Sequence, residues 1–256
     1  MTATASVHES GDIAPLVAWI DEAGELLRST GLDVKRDGHD EFLLLFGLCA
    51  QSVRYAQAWS RLYSSGFERE AIVLARCAVE HAVSAQWCYF TAGGIQQLRD
   101  KIVNERRSFY VDFGTWLEHD ELLSAATSLP TADGEPWPNF GRTILKEVDA
   151  QNFLRTSYRG LSRSAHVSDS TVAGFLEVSD NGYSVNVEPG DPMAFQAAHG
   201  ASVAAMLGLW VIAEQIEDKS LSDLLDRRSD ELELPCSLRD NIPEERARRF
   251  DSDVHR

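Results

Sequence analysis

The sequence predicts an all-α protein, a single bundle of five to six main helices with one small β-hairpin inserted before the last long helix. Three observations carry that expectation. The run Ala71–Phe90 is apolar on nearly every side. A surface helix shows one apolar stripe and one wet face, so this run reads as a buried central rod. The run Pro192–Ala213 has no Asp, Glu, Lys or Arg over 22 residues and reads as a second buried helix. Between them, GFLEV and YSVNVE flank Asn181-Gly182. That pair accepts the positive φ of a type I′ turn, which marks a hairpin at about 173–188.

A first helix is expected over 13–30, with Leu16, Trp19, Ile20, Ala23, Leu26 and Leu27 on one face and Gly31 as its stop. A second begins near His39, with Asp37 as N-cap and Asp40 and Glu41 favourable at the positive end of its dipole. It runs to about Tyr63, and the turn at Gly66 leads into the rod, so the two helices lie antiparallel. Gly93-Gly94 opens a helix over 95–124, with Leu98, Ile102, Phe109, Phe113, Trp116 and Leu117 as its core face and Gly114 as a point of bending. The segment TADGEPWPNFG is a loop by its prolines and glycines, pinned to the bundle by Trp137 and Phe140. A helix over 143–165 uses Leu145, Val148, Leu154, Tyr158 and Leu161. After the hairpin, Asp191 and Pro192 begin the last long helix, and Leu221–Leu225 form a short amphipathic one.

By organisation, residues 1–11 are expected to be disordered, 12–228 to form the bundle, and 229–256 to be a charged, extended or disordered tail. Lys plus Arg is 24 against 40 for Asp plus Glu, a net charge of −16. That balance excludes a general DNA binder or a binder of anionic membranes, though not a local basic site. Pro192–Ala213 is long enough to span a bilayer. Its Ala and Gly content, with Gln196 and His199, favours a core helix instead, and His199 reads as a satisfied core histidine. Cys49, Cys77, Cys88 and Cys236 include no C-x-x-C pair, which fits a reducing, cytoplasmic setting without a metal framework. MTATASVHESGD has neither a basic nor an apolar leader pattern. No motif calls for a cofactor or metal.

Two groups of residues can carry chemistry. Arg76 and Glu80 are the only Asp, Glu, Lys or Arg residues of the rod, and i,i+4 spacing puts them on one face. They read as a structural core pair, since buried charges must be paired. Arg155, Arg159 and Arg163 recur every four residues, with His166 three beyond. On one continuous helix, Arg159 and His166 project within roughly 20° of one direction, and Ser162 lies on that side. Such a stripe is an anion site, or else a solvated face paired with neighbouring acids. Cleaving RNA without a metal needs a base for the 2′-hydroxyl and a cation for the phosphorane. Histidine suits the first task and arginine the second.

The order LARCAVEHAVSAQWCYF, then YRGLSRSAHVS, then a hairpin and an apolar last helix resembles a prokaryotic all-helical family of unknown function. Its signatures are R-x3-E, matched by Arg76 and Glu80, and L-S-x3-H, matched by Leu161, Ser162 and His166. The resemblance spans roughly residues 40–215 and implies the fold more than an activity. More distantly the arrangement resembles HEPN domains, whose nucleases carry R-x4-6-H; Arg159 and His166 have that spacing. This resemblance implies a metal-independent endoribonuclease or toxin/defence-type effector. His166 would be general acid/base, Arg159 and Arg163 would contact phosphate, and Arg155, Tyr158 and Ser162 would bind. It also implies a homodimer with His166 near the two-fold axis, to which the hairpin and Trp137 would supply apolar contact. Gly160 stands where such nucleases usually carry a polar residue. Gly160 and the acidic balance favour the alternative, a non-catalytic helical module that binds a protein partner or small ligand.

Overall fold

Small side chains decide how closely the central helices approach. Helix α9 (Ala194–Gln215) is rich in Ala and Gly, and nearly all of it is buried. A Cβ added at Gly208 would lie 3.1 Å from the Cys49 carbonyl oxygen of α2 (His39–Ser64). One added at Gly200 would meet Val79 of α3 (Glu68–Phe90). At that range, polar side chains of three helices reach the carbonyls of α9. Trp19 Nε1 of α1 (Ala14–Ser29) donates to Ser202 at 3.1 Å, Ser52 Oγ of α2 to Ala204 at 3.0 Å, and Gln86 Nε2 of α3 to Leu207 at 3.0 Å. Each buried donor is thereby satisfied.

The structure is a computed structural model that describes residues 12–35, 38–131, 134–149, 151–166, 168–179, 182–187 and 193–248. The expected disorder of residues 1–11, the cap at Asp37, the turn residue Asn181 and the start at Asp191-Pro192 fall outside the described residues. The fold is all-α, with α2, α3 and α9 as its central layer and α1 across α2 and α9. The second half of α3, Ala82–Phe90, is buried throughout, as a helix apolar all round requires. Although α9 is long and apolar enough to cross a bilayer, 78% of its apolar window is buried in the bundle, the condition of a core helix. The hairpin pairs β1 (Leu176–Ser179) with β2 (Gly182–Val185), Leu176 opposite Val185 and Ser179 opposite Gly182. The Arg69 guanidinium, 5.4 Å from the Phe175 ring centroid, ties its base to the start of α3.

There are more helices than five or six because two expected helices break. The first, α4 (Gly94–Leu117), ends at Glu118, which takes a left-handed φ of 52°. Then α5 (Asp120–Ser128) folds back beside Gly114, where an added Cβ would lie 3.1 Å from Leu122 and Leu123. The second breaks after a π-helical turn (Phe140–Ile144) and α6 (Leu145–Val148). Asn152 then turns left-handed at φ 58° before α7 (Phe153–Ala165). A short α8 (Asp169–Ala173) leads to the hairpin.

Two expectations fail on packing. Leu98 of α4 is buried and Ile102 packs on the core, but Phe109, Phe113, Trp116 and Leu117 are exposed at 57, 38, 75 and 45%. The helix outruns the bundle, so the outer half of its apolar face is left largely exposed among the described residues. The charged tail is packed, not extended or disordered, as far as residue 248: α10 (Ser220–Leu232) continues into a strap whose Leu234, Leu238 and Ile242 are buried. Apolar residues spaced among the charges give that strap a core-facing side. Gln86 holds it to α3, donating to the Cys236 carbonyl at 3.2 Å and accepting the Leu238 amide at 3.0 Å.

Gln86→Leu removes a nearly isosteric group but strands the Leu238 amide, which is buried. The expected loss is about 2–3 kcal/mol of unfolding free energy, read from the urea midpoint against wild type. A midpoint equal to wild type would mean that the strap contributes nothing to the fold.

Candidate functional site

Helix α7 begins at a carboxylate. Asp149 is 8% exposed and accepts the Phe153 amide at 3.0 Å through Oδ1 and the Arg155 amide at 2.7 Å through Oδ2. The positive end of the helix is thus already met by an anion from its own chain. Leu154 and Leu161 turn into the core, and Tyr158 lies edge-on to Phe140 at 4.8 Å.

From that face α7 meets α3. Arg76 Nε donates to Ser162 Oγ at 3.0 Å, and Nη2 donates to Tyr158 Oη at 2.9 Å. The Tyr158 hydroxyl donates in turn to Glu80 Oε2 at 3.2 Å, which lies 3.6 Å from Arg76 Nη2. Burial pushes the Tyr158 phenol above its ordinary value, which keeps the proton that this relay needs. Residues of α3 and α7 therefore converge on one network. It is not the core pair expected: the Arg76 and Glu80 side chains are 22% and 38% exposed. Both sit at the edge of the core, on the side of α3 that α2 and α9 leave uncovered.

The arginine–histidine stripe does not persist as a stripe. His166 is the C-cap of α7, with φ −112° and ψ 164°, so it has left the helix and does not share the phase of Arg159. It is exposed, as is Arg159. Ser162, expected beside His166, points inward to Arg76. The Arg163 guanidinium takes both oxygens of Asp169, at 2.7 and 2.9 Å, across the turn to α8, and that carboxylate holds its pKa above the usual value. Arg155 lies back at the first turn, with Nη1 3.4 Å from Asn152 Oδ1. A side chain at Gly160 would meet only the far end of the flexible Met193 side chain, Cε at 2.6 Å, which can turn aside.

A cleft of about 390 Å³ opens between α2, α3, α4 and the loop before the π turn. Its apolar walls are Leu44, Leu48, Leu98, Ile102, Trp137 and Phe140, and Glu80, His81 and Ser84 of α3 supply its polar floor. Lys101 and Glu105 pair with each other at its edge. His81 Nδ1 lies 2.9 Å from the Cys77 carbonyl, which can only accept, so in the neutral ring Nε2 is the acceptor. Trp137 packs edge-on against Trp87 at 5.6 Å and lines the cleft. Sequence reading passed over this cleft. Its signal was present as Glu80, His81 and Ser84, three polar residues within five positions of an apolar rod.

His199 is not the satisfied core histidine expected. Its Nδ1 is enclosed with no partner among the described residues, because its neighbours are the Phe153 and Phe195 rings, at 5.1 and 6.2 Å. Burial pulls its pKa below the ordinary histidine value. The unfolded chain therefore binds this proton more readily, so the stabilising contribution is full above the unfolded pKa and is lost as pH falls through the folded one. Unfolding free energy should decline as pH falls below about 6.5, with a shallower decline in His199→Gln. Urea titrations at each pH test this, and equal slopes would remove His199 as the cause.

Compared with known proteins, residues 42–183, more than half of the chain, match the model of a family of unknown function, DUF5677. No curated protein and no solved structure matches the chain.

Proposed function

The chain belongs to the DUF5677 family of unknown function, and from that premise we propose that it is a non-catalytic binding module for a small organic ligand. The ligand is a flat apolar body carrying an ammonium or other strong hydrogen-bond donor. The observation that carries this reading is the Arg76–Tyr158–Glu80 network, which joins α3 to α7 and fixes Glu80 on the floor of the α2–α3–α4 cleft. A carboxylate held by two neighbours and backed by a histidine acceptor is preorganised for a donor. The volume, about 390 Å³, and the mainly apolar walls fall in the ordinary range for such sites. Four free cysteines fit a reducing, cytosolic setting.

Phenethylamine is the probe. Calorimetry on the full chain should give a Kd of about 1 mM or tighter, with phenylacetate at least about tenfold weaker because its charge is reversed. Glu80→Gln should abolish the preference for the amine while leaving far-ultraviolet dichroism unchanged. Equal binding of both probes, or an amine preference that survives Glu80→Gln, would overturn the reading.

A second reading, the HEPN-like ribonuclease or toxin/defence-type effector, draws on the exposure of Arg159 and His166 at the open end of α7, where a bulky RNA has access. In that reading His166 is the general acid/base and Arg159 and Arg163 take the phosphate. Incubation with single-stranded RNA in the presence of a chelator tests it. Cleavage that falls at least about a hundredfold in His166→Ala supports the nuclease. No cleavage, or cleavage equal in both proteins, removes it.

A further inference from the structure

A second cavity, of about 340 Å³, lies where α3 gives way to α4, and it shares no wall residue with the Glu80 cleft. The chain leaves α3 through Thr91 and Ala92 and enters α4 over Gly93, whose φ of 78° is left-handed. Gly94 is held close to α3, since an added Cβ would lie 2.8 Å from the Cys88 carbonyl oxygen. A glycine pair at this point offers no side chain to cap the new helix. The Ile95 and Gln96 amides accordingly have no acceptor among the described residues. The positive end of a 24-residue helix therefore lines the cavity with free N–H groups.

The wall adds a buried group that the fold leaves unsatisfied. Thr91 lines the cavity and is 1% exposed, yet its Oγ1 has no hydrogen-bond partner among the described residues. A hydroxyl that gives up water without a bond in return is destabilising, and a bound ligand would supply that bond. Two arginines stand beside it. Arg248 pairs with Glu41, so those two charges offset each other. Arg99, exposed in the second turn of α4, has no acidic partner among the described residues. Arg99 and Arg248 against Glu41 leave the walls net positive, in a chain whose total is −16.

Charge and shape select the ligand. Amides at a helix N-terminus bind anions, and arginine adds a charge-assisted bond. Donors from the first turn, the preceding loop and the second turn suit an anion with oxygens in several directions. A tetrahedral phosphoryl group has them, and a planar carboxylate does not. The cavity is larger than inorganic phosphate needs, which leaves room for a small organic substituent. We propose that this cavity binds a phosphoryl group, free or carried on a small metabolite, with the Ile95 and Gln96 amides, the Thr91 hydroxyl and the Arg99 guanidinium as its donors. The site is independent of the ligand reading for the Glu80 cleft.

Calorimetry on the full chain, at an ionic strength fixed with sodium chloride, uses inorganic phosphate and glycerol 3-phosphate as probes. The tighter of the two should bind with a Kd of about 1 mM or below, and acetate at least about tenfold more weakly. Arg99→Gln should weaken that binding about tenfold with an unchanged melting point, since the side chain is exposed. Thr91→Val should weaken it at least about threefold, while the urea midpoint stays at the wild-type value or rises, because the hydroxyl bonds to nothing in the fold. Tighter binding of glycerol 3-phosphate assigns the site to phosphate esters, and tighter binding of inorganic phosphate assigns it to the free ion. No binding of either probe up to about 10 mM overturns the proposal. So does binding that is unchanged in either variant, acetate bound as tightly as the phosphate probes, or a urea midpoint that falls in Thr91→Val.

Discussion

The backbone carbonyls of α9 are the fixed point on which three other helices are hung. A buried helix of small residues offers little side-chain volume, but it lets neighbours approach until their polar side chains reach its main chain. Trp19, Ser52 and Gln86 use that approach, and Ser202 returns a bond of 3.2 Å to the Leu16 carbonyl of α1. The arrangement gives an apolar core a set of directional bonds, so the helices have one register and not several. A large side chain at Gly208 would separate α9 from α2 and break the Ser52 bond with it.

That central layer also decides where charge can go on α3. With α2 and α9 covering two sides, Arg76 and Glu80 are left facing α7, where Tyr158 and Ser162 complete their bonds. Full burial of such a pair would cost several kcal/mol per ion in desolvation. Partial exposure lowers that cost while the neutral Tyr158 phenol, accepting from one ion and donating to the other, keeps both oriented. The same side of α3 then opens into the cleft, so the structural network and the ligand-facing Glu80 are parts of one arrangement.

Helix α4 carries one apolar stripe in two environments. Its first turns bury Leu98 and line the cleft with Ile102, and its last turns present Phe109, Phe113 and Trp116 to solvent. The difference lies in the length of the helix relative to the bundle, not in the residues. Contiguous exposed aromatic surface of this kind marks an interaction site.

The sequence by itself determined where the main helical stretches lie, that α9 and the second half of α3 are buried, that a hairpin interrupts the chain, and that Arg76 and Glu80 are neighbours. Each follows from periodicity and from charge-free runs, which are local properties. It did not determine the breaks at Glu118 and Asn152, because left-handed φ at a non-glycine residue is imposed by packing, and the asparagine preference for it does not by itself mark a break. Nor did it determine the phase of His166, since extrapolating along α7 assumed a helix that ends one residue earlier. The packed strap at Leu234, Leu238 and Ile242 and the open ridge at Phe109–Trp116 reverse the sequence expectation in opposite directions for one reason. Periodicity fixes which residues share a face, and only the tertiary structure decides whether another element covers that face.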